Sequence, residues 1–277
     1  MSKYSILLLK DNSLSSKDET TSSPADYEII LSELNCKIYF IPPLQFDFVN
    51  IELLLNRILC PEKYVGIILT SPRSVYAVHQ AFKLMEKDPN VIIWRKNKMC
   101  YTVGPSTSTK ASQDLEWTPN NIRGGDRCGN AHSLAELIIE DFKDKSLGLV
   151  TKGLLYPCGN LKRETIAKEL ENHSNIDLDT ITCYETSPNK DLDANFNKVA
   201  KESSHIDIVV FFSPSGVKNC WELLQKITSS SSKYVAIGPT TLESLKSYCN
   251  DHGRLFQSKS PSPTGIKDII AQIISNL

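Results

Sequence analysis

Short runs of β-branched and aliphatic residues alternate along this chain with stretches in which apolar side chains recur every three or four positions. The first kind predicts strands at Ser5–Leu9, Lys37–Ile41, Val65–Thr70, Met99–Val103, Leu154–Tyr156, Thr180–Tyr184, Ile206–Phe212 and Tyr234–Ile237. The second kind predicts helices. Over Ser74–Lys87, Val75, Val78, Ala81, Phe82 and Met85 share one face; Leu134, Leu137 and Ile138 do so over Ala131–Phe142, and Ile269, Ile270 and Ile273 over Ile266–Ile274. Strand and helix alternating from end to end imply right-handed βαβ units, so the fold class is α/β, with largely parallel sheets covered by helices on both faces. Two polar stretches interrupt the pattern. Asp11–Asp26 reads as an exposed insertion between the first strand and the first helix, and Ser229–Ser232 as a shorter loop.

The pattern also repeats. Ile67-Ile68-Leu69-Thr70-Ser71-Pro72 is echoed by Val209-Val210-Phe211-Phe212-Ser213-Pro214, and each is followed by a helical pattern and a further strand. That strand runs into Val103-Gly104-Pro105-Ser106-Thr107 in one copy and Ile237-Gly238-Pro239-Thr240-Thr241 in the other. Two similar α/β halves are the simplest explanation, and 277 residues suffice for two modest domains.

Composition narrows the function. An apolar fraction of 40 % and a charged fraction of 23 % describe an ordinary globular chain. Thirty-one basic against 32 acidic residues remove the usual argument for a nucleic-acid or anionic-membrane partner. The eight cysteines are spaced 24 to 40 residues apart with no C-x-x-C pair, and the five histidines are scattered, so no metal site is expected. The first ten residues read as neither signal peptide nor spanning helix, which predicts a cytoplasmic protein with reduced cysteines acting as small core residues.

The repeated turns are the remaining candidates. Ser71 and Ser213 suit helix caps, each with proline in the first turn behind it, while Gly104 and Gly238 permit tight turns. On that reading alone the turns are merely well made. The same unpaired helix-end amides, joined by the hydroxyls of Ser71, Ser106, Thr107, Ser213, Ser215, Thr240 and Thr241, also suit anions, beyond the carboxyl ends of strands where open sheets bind ligands. Neither a G-x-x-x-x-G-K-[ST] nor a G-x-G-x-x-G loop is present, which disfavours nucleotides, and no G-x-S-x-G elbow is present either. Residue chemistry alone therefore stops at a two-part α/β binder of a polyanion.

Seven motifs in one order go further: Thr70-Ser71-Pro72-Arg73, Val103-Gly104-Pro105-Ser106-Thr107, Pro157-Cys158-Gly159-Asn160-Leu161-Lys162-Arg163, Thr182-Cys183-Tyr184-Glu185-Thr186, Phe212-Ser213-Pro214-Ser215-Gly216, Ile237-Gly238-Pro239-Thr240-Thr241 and Ser260-Pro261-Ser262-Pro263-Thr264. Together they resemble the uroporphyrinogen-III synthases of the eukaryotic type over essentially the whole chain; the polar 11–26 insertion departs from them. The resemblance implies two interleaved, doubly wound parallel-sheet domains joined by two extended crossings, with a ligand cleft between them. Domain one would comprise 1–41 plus 185–277 and domain two 42–184, which would account for the distance between the repeat copies.

The implied activity is a lyase reaction of haem and porphyrin biosynthesis: the linear tetrapyrrole hydroxymethylbilane loses water and closes to uroporphyrinogen III with ring D inverted, through a spiro intermediate. The resemblance implies neither cofactor nor metal, with a small-molecule substrate as the partner; a monomer is expected because no heptad pattern or long unpaired strand edge is evident. Residue by residue, it marks Tyr184, Thr107 and Thr241 as catalytic. It marks Ser71, Arg73, Gly104, Ser106, Gly159, Asn160, Lys162, Ser213, Ser215, Gly216, Gly238 and Thr240 as substrate-binding. Plainer readings stand beside these: Tyr184 as a packing tyrosine at a crossing, Thr107 and Thr241 as helix caps, and Cys158 as a small core residue. The competing class is a non-catalytic, two-lobed cytosolic binder of a small polycarboxylate. A cofactor-dependent tetrapyrrole methyltransferase would need a glycine-rich nucleotide loop.

Overall fold

The computed structural model describes residues 4–10, 24–144, 153–161, 164–171 and 176–276. Two units partition the chain, one of residues 1–45 with 187–277 and the other of residues 46–186. The chain passes from the first to the second within strand β3 (Leu44–Phe48) and returns within the long strand β8 (Asp177–Pro188).

The first unit is built on a parallel five-stranded sheet. Its strands are β1 (Tyr4–Leu9), β2 (Cys36–Phe40), β9 (Ile206–Phe211), β10 (Thr228–Ala236) and β11 (Leu255–Gln257), in the order β11-β10-β9-β1-β2. Period-two alternation sorts the strand side chains onto two faces. Ile6, Leu8, Ile208 and Val210 meet Tyr27 and Leu31 of α1 (Pro24–Ser32) and Ile266, Ile270 and Ile273 of α11 (Pro263–Ser275). On the other face, Leu7, Leu9, Val209 and Phe211 pack on Phe196 of α8 (Leu192–Glu202), Val217 and Cys220 of α9 (Pro214–Leu224) and Leu245 of α10 (Pro239–Lys246).

The second unit follows the same plan. Its sheet runs β3-β8-β7-β4-β5-β6, with β7 at Gly153–Gly159, β4 at Tyr64–Leu69, β5 at Met99–Val103 and β6 at Ile122–Gly125. The pairs from β8 across to β6 are parallel. One face, with Ile67, Leu69, Leu155 and Cys183, is covered by α2 (Ile51–Ile58), α3 (Pro72–Leu84), α4 (Pro89–Asn97) and α5 (Gly104–Gln113). The other, with Ile68, Tyr101, Leu154 and Tyr156, is covered by α6 (Ala131–Lys143) and α7 (Thr165–Glu171). Both sheets thus bury both faces, which is why their strands read as apolar runs and not as alternating ones.

Six of the eight cysteines, Cys158 among them, are buried free thiols. Among the described residues no helix is long and apolar enough to cross a membrane.

The structure corrects several sequence expectations. Of the polar stretch 11–26, residues 11–23 lie outside the described residues, but 24–26 open helix α1. Ser229–Ser232 is not a loop. It continues β10 through a register shift between Thr228 and Lys233, with the buried Ser232 hydroxyl donating to the Ile206 carbonyl at 2.6 Å. The Ser232 hydroxyl, which also accepts from the Ser229 amide at 2.9 Å, ties this irregular stretch of the strand to β9. Strands β3, β6 and β11 were not expected at all.

Candidate active site

In the unit of residues 46–186, β4, β5, β7 and β8 run parallel, so the turns after Leu69 and Val103, the end of β7 and the later part of β8 share the carboxyl edge of one sheet. Ser71, extended at φ −158°, caps α3. Its hydroxyl accepts from the Ser74 amide, and the Ser74 hydroxyl reciprocates toward the Ser71 amide. The cap read from sequence is therefore real, yet it does not exhaust Ser71. The same hydroxyl lies 3.0 Å from the Tyr184 hydroxyl.

Tyr184 reaches Ser71 because of Gly159. A Cβ at residue 159 would stand 2.5 Å from Cε2 and 2.7 Å from Cζ of the Tyr184 ring, so only glycine lets the ring lie there. The register pairs these two residues directly, Gly159 with Tyr184, after a shift beyond Cys158. Asn160 holds the other side of the arrangement. Its amide donates to the Tyr184 carbonyl at 3.1 Å, while its side chain accepts from the Thr186 amide at 2.9 Å and donates to the Thr186 carbonyl at 3.3 Å. Burial raises the pKa of the Tyr184 phenol above its ordinary value, against the smaller opposing effects of the Ser71 hydrogen bond and the Arg73 charge. At neutral pH it is a protonated donor.

Tyr184, Gly159 and Arg73 line a pocket of about 230 Å³, joined there by Thr70, Tyr156 and Thr186. The exposed Arg73 guanidinium lies over the Phe46 ring, 3.5 Å from its centroid. Lys162 lies outside the described residues.

The neighbouring turn after β5 is equally constrained. Gly104 has φ +75°, in the region that favours glycine, and its amide donates to the Cys128 carbonyl at 2.9 Å. Helix α5 begins at once, with no side-chain cap bond, so Thr107 is not a cap; it is a helical residue only 2 % exposed. Ser106 beside it is half-buried. Below the turn, Thr102 and Ser108 share a 2.5 Å hydroxyl contact, and Thr102 accepts from the Gly125 amide at 3.2 Å.

In the unit of residues 1–45 and 187–277 the counterpart turns follow β9 and β10, adjacent parallel strands. Ser213 caps α9 by accepting from the Gly216 amide at 3.1 Å, Ser215 is exposed in the first turn, and Gly216 is buried against Pro43. Gly238 is extended at φ −168°, a conformation open to any residue, so the bend between β10 and α10 does not require glycine there. Helix α10 has no side-chain cap bond; Thr240 is exposed, and Thr241 is 3 % exposed and again no cap.

Sequence reasoning missed Thr70 and Tyr156 as pocket residues. Tyr156 occupies a strand position that reads as core, and only the end of β4 beside it shows that its edge meets a cavity.

Comparison with known proteins gives a consistent result. A family model described as uroporphyrinogen-III synthase HemD matches residues 26–264. The uroporphyrinogen-III synthase of Saccharomyces cerevisiae is 27 % identical over 278 positions, spanning 94 % of this chain and 92 % of the relative. A crystal structure of a mutant uroporphyrinogen III synthase from the extremely thermophilic bacterium Thermus thermophilus covers 99 % of this chain and all of its own, with a TM-score of 0.54 at 11 % identity. At that identity the structural match speaks for the fold alone.

Proposed function

The chain belongs to the uroporphyrinogen-III synthase HemD family, and we propose that Tyr184 carries the loss of water in that family's reaction, the closure of hydroxymethylbilane to uroporphyrinogen III. The single observation behind this reading is the phenol itself: protonated, half-buried, hydrogen-bonded to Ser71 and facing a pocket. As the C–O bond of the hydroxymethyl carbon breaks, the pyrrole nitrogen pushes electrons toward that carbon and the departing oxygen needs a proton or a hydrogen bond. Tyr184 supplies it, and Ser71 keeps the hydroxyl in place.

Closure then requires the terminal ring to attack through its substituted carbon, giving the spiro intermediate from which ring D is inverted. The linear substrate closes unaided to the uninverted isomer, so the protein's main contribution is orientation. Hydroxyl and amide donors suit that task, since they hold carboxylates without placing charges in the protein interior. Thr107, Ser71, Ser106 and Gly104 in one unit, and Ser213, Ser215, Gly216, Gly238, Thr240 and Thr241 in the other, are assigned this role, with Arg73 and Lys162 adding positive charge. Thr107 and Thr241 are the more telling members, because a hydroxyl within a buried first helical turn has no capping duty to explain it. Gly159 and Asn160 serve by seating Tyr184 and the strand that carries it.

The reading takes the protein as a cytoplasmic monomer, to be checked by sedimentation. Its decisive test is the isomer ratio of porphyrinogen formed from enzymatically generated hydroxymethylbilane. With the protein present, the inverted isomer dominates. A ratio equal to that of the unaided reaction would leave only a polycarboxylate binder.

A further inference from the structure

We infer that Tyr156 is a further substrate-contacting residue, whose hydroxyl donates to a carboxylate of the tetrapyrrole seated in the pocket beside Tyr184; this rests on the function proposed above. The argument starts from the ladder. Pairing between β4 and β7 extends only from Tyr64 with Gly153 to Ile67 with Leu155, whereas β7 stays paired with β8 as far as Gly159. Pro157, which has no amide hydrogen to offer β4, stands just past the break. The opening between the ends of these strands is where the pocket forms.

Tyr156 points into the apolar cluster with Ile68, Leu154 and Cys158 and is only 3 % exposed, yet it lines that pocket. A phenol so deeply placed needs a partner for its oxygen. Thr70, the first residue beyond β4, is its hydrogen-bonding neighbour and lines the same pocket. A phenol carries one hydrogen and can also accept. With the Thr70 hydroxyl able to donate to that oxygen, the Tyr156 hydrogen can turn to a carboxylate in the cavity. Burial pushes its pKa up to about 12, so that hydrogen is present at any working pH.

The rest of the lining selects the ligand. Among the described residues around this pocket are Thr70, Arg73, Tyr156, Tyr184 and Thr186, donors and a cation, with no carboxylate. At about 230 Å³ the pocket has room for a carboxylate arm of the substrate. Tyr184 and Tyr156 thus divide the work: one meets the departing hydroxyl, the other a carboxylate arm that fixes the ring bearing it.

The test is Tyr156→Phe, which removes one oxygen and keeps the ring. The expected result is a rise of about tenfold in KM for hydroxymethylbilane with kcat within about twofold, because a bond to a charged group is lost from ground and transition state alike. The Kd for uroporphyrin, an octacarboxylate porphyrin, rises by a similar factor in equilibrium dialysis. Thr70→Val, which frees the phenol to turn away, gives a smaller rise in both and decides the question alone if Tyr156→Phe fails to fold. Unchanged KM and Kd overturn the inference, as does a fall in kcat at constant KM. A parent protein that yields no excess of the inverted isomer defeats the proposed function instead, and the porphyrin Kd values separate the two failures.

Discussion

Gly159→Ala tests the site through a residue with no chemistry of its own. The added Cβ would lie 2.5, 2.7 and 2.9 Å from Cε2, Cζ and Oη of Tyr184. Ordinary carbon contacts are about 3.5–4.0 Å, so the ring must retreat by about 1 Å. Its hydroxyl would then leave Ser71, now 3.0 Å away, and the point from which it serves the substrate. Overpacking of this kind costs about 1–3 kcal/mol of stability. The larger effect belongs to turnover, where a displacement of about 1 Å can lower the rate about 100-fold. The assay measures initial rates of inverted porphyrinogen from fresh hydroxymethylbilane, alongside urea unfolding to keep stability separate. Wild-type turnover in a folded variant would mean that the placement of the Tyr184 ring is irrelevant, and the reasoning from Gly159 to catalysis would fail.

Tyr184→Phe should lower kcat about 100-fold, the scale of a lost general acid, at a stability loss no greater than about 1.5 kcal/mol; unchanged turnover would remove the tyrosine from the reaction. Ser71→Ala should destabilise by about 1 kcal/mol and also reduce kcat, since its hydroxyl serves both cap and Tyr184. Ser262→Ala, which removes the comparable cap of α11, should show the stability loss with kcat retained. Thr107→Val and Thr241→Val preserve volume and delete a buried hydroxyl, so each should weaken uroporphyrin binding several-fold in equilibrium dialysis; parental affinity in both would strip them of a ligand role. Alkaline stability follows from burial. Tyr156, Cys183 and Cys220 all titrate near 12 in the folded chain, against ordinary values of 10.0 for the phenol and 9.0 for the thiols. Burial of these groups is complete in its effect below the unfolded values, and their contribution is lost as pH climbs from about 9 through 12. The urea midpoint should therefore fall across that range, and a flat profile would contradict the burial of these groups.

Local chemistry determined most of the scaffold. Aliphatic runs such as Ile206–Phe211 can be little else than buried strands, and serine followed by proline sets a helix start wherever it occurs, as Ser71 and Ser213 show. The ordered motifs also carried the family, because each of those turns depends on near neighbours in the chain. Tertiary structure decided what distance along the chain hides. Leu44–Phe48 became a strand by joining β8, Ile122–Gly125 by joining β5 despite its two glycines, and Ser229–Ser232 by finding partners across a bulge. The same holds for the site. Nothing near residue 159 announces that its missing side chain makes room for a ring 25 positions later, and nothing near residue 156 shows that a core tyrosine borders a cavity. Those facts arise from register and from where one strand stops beside another, quantities set by the packing of whole sheets and not by any short stretch of residues.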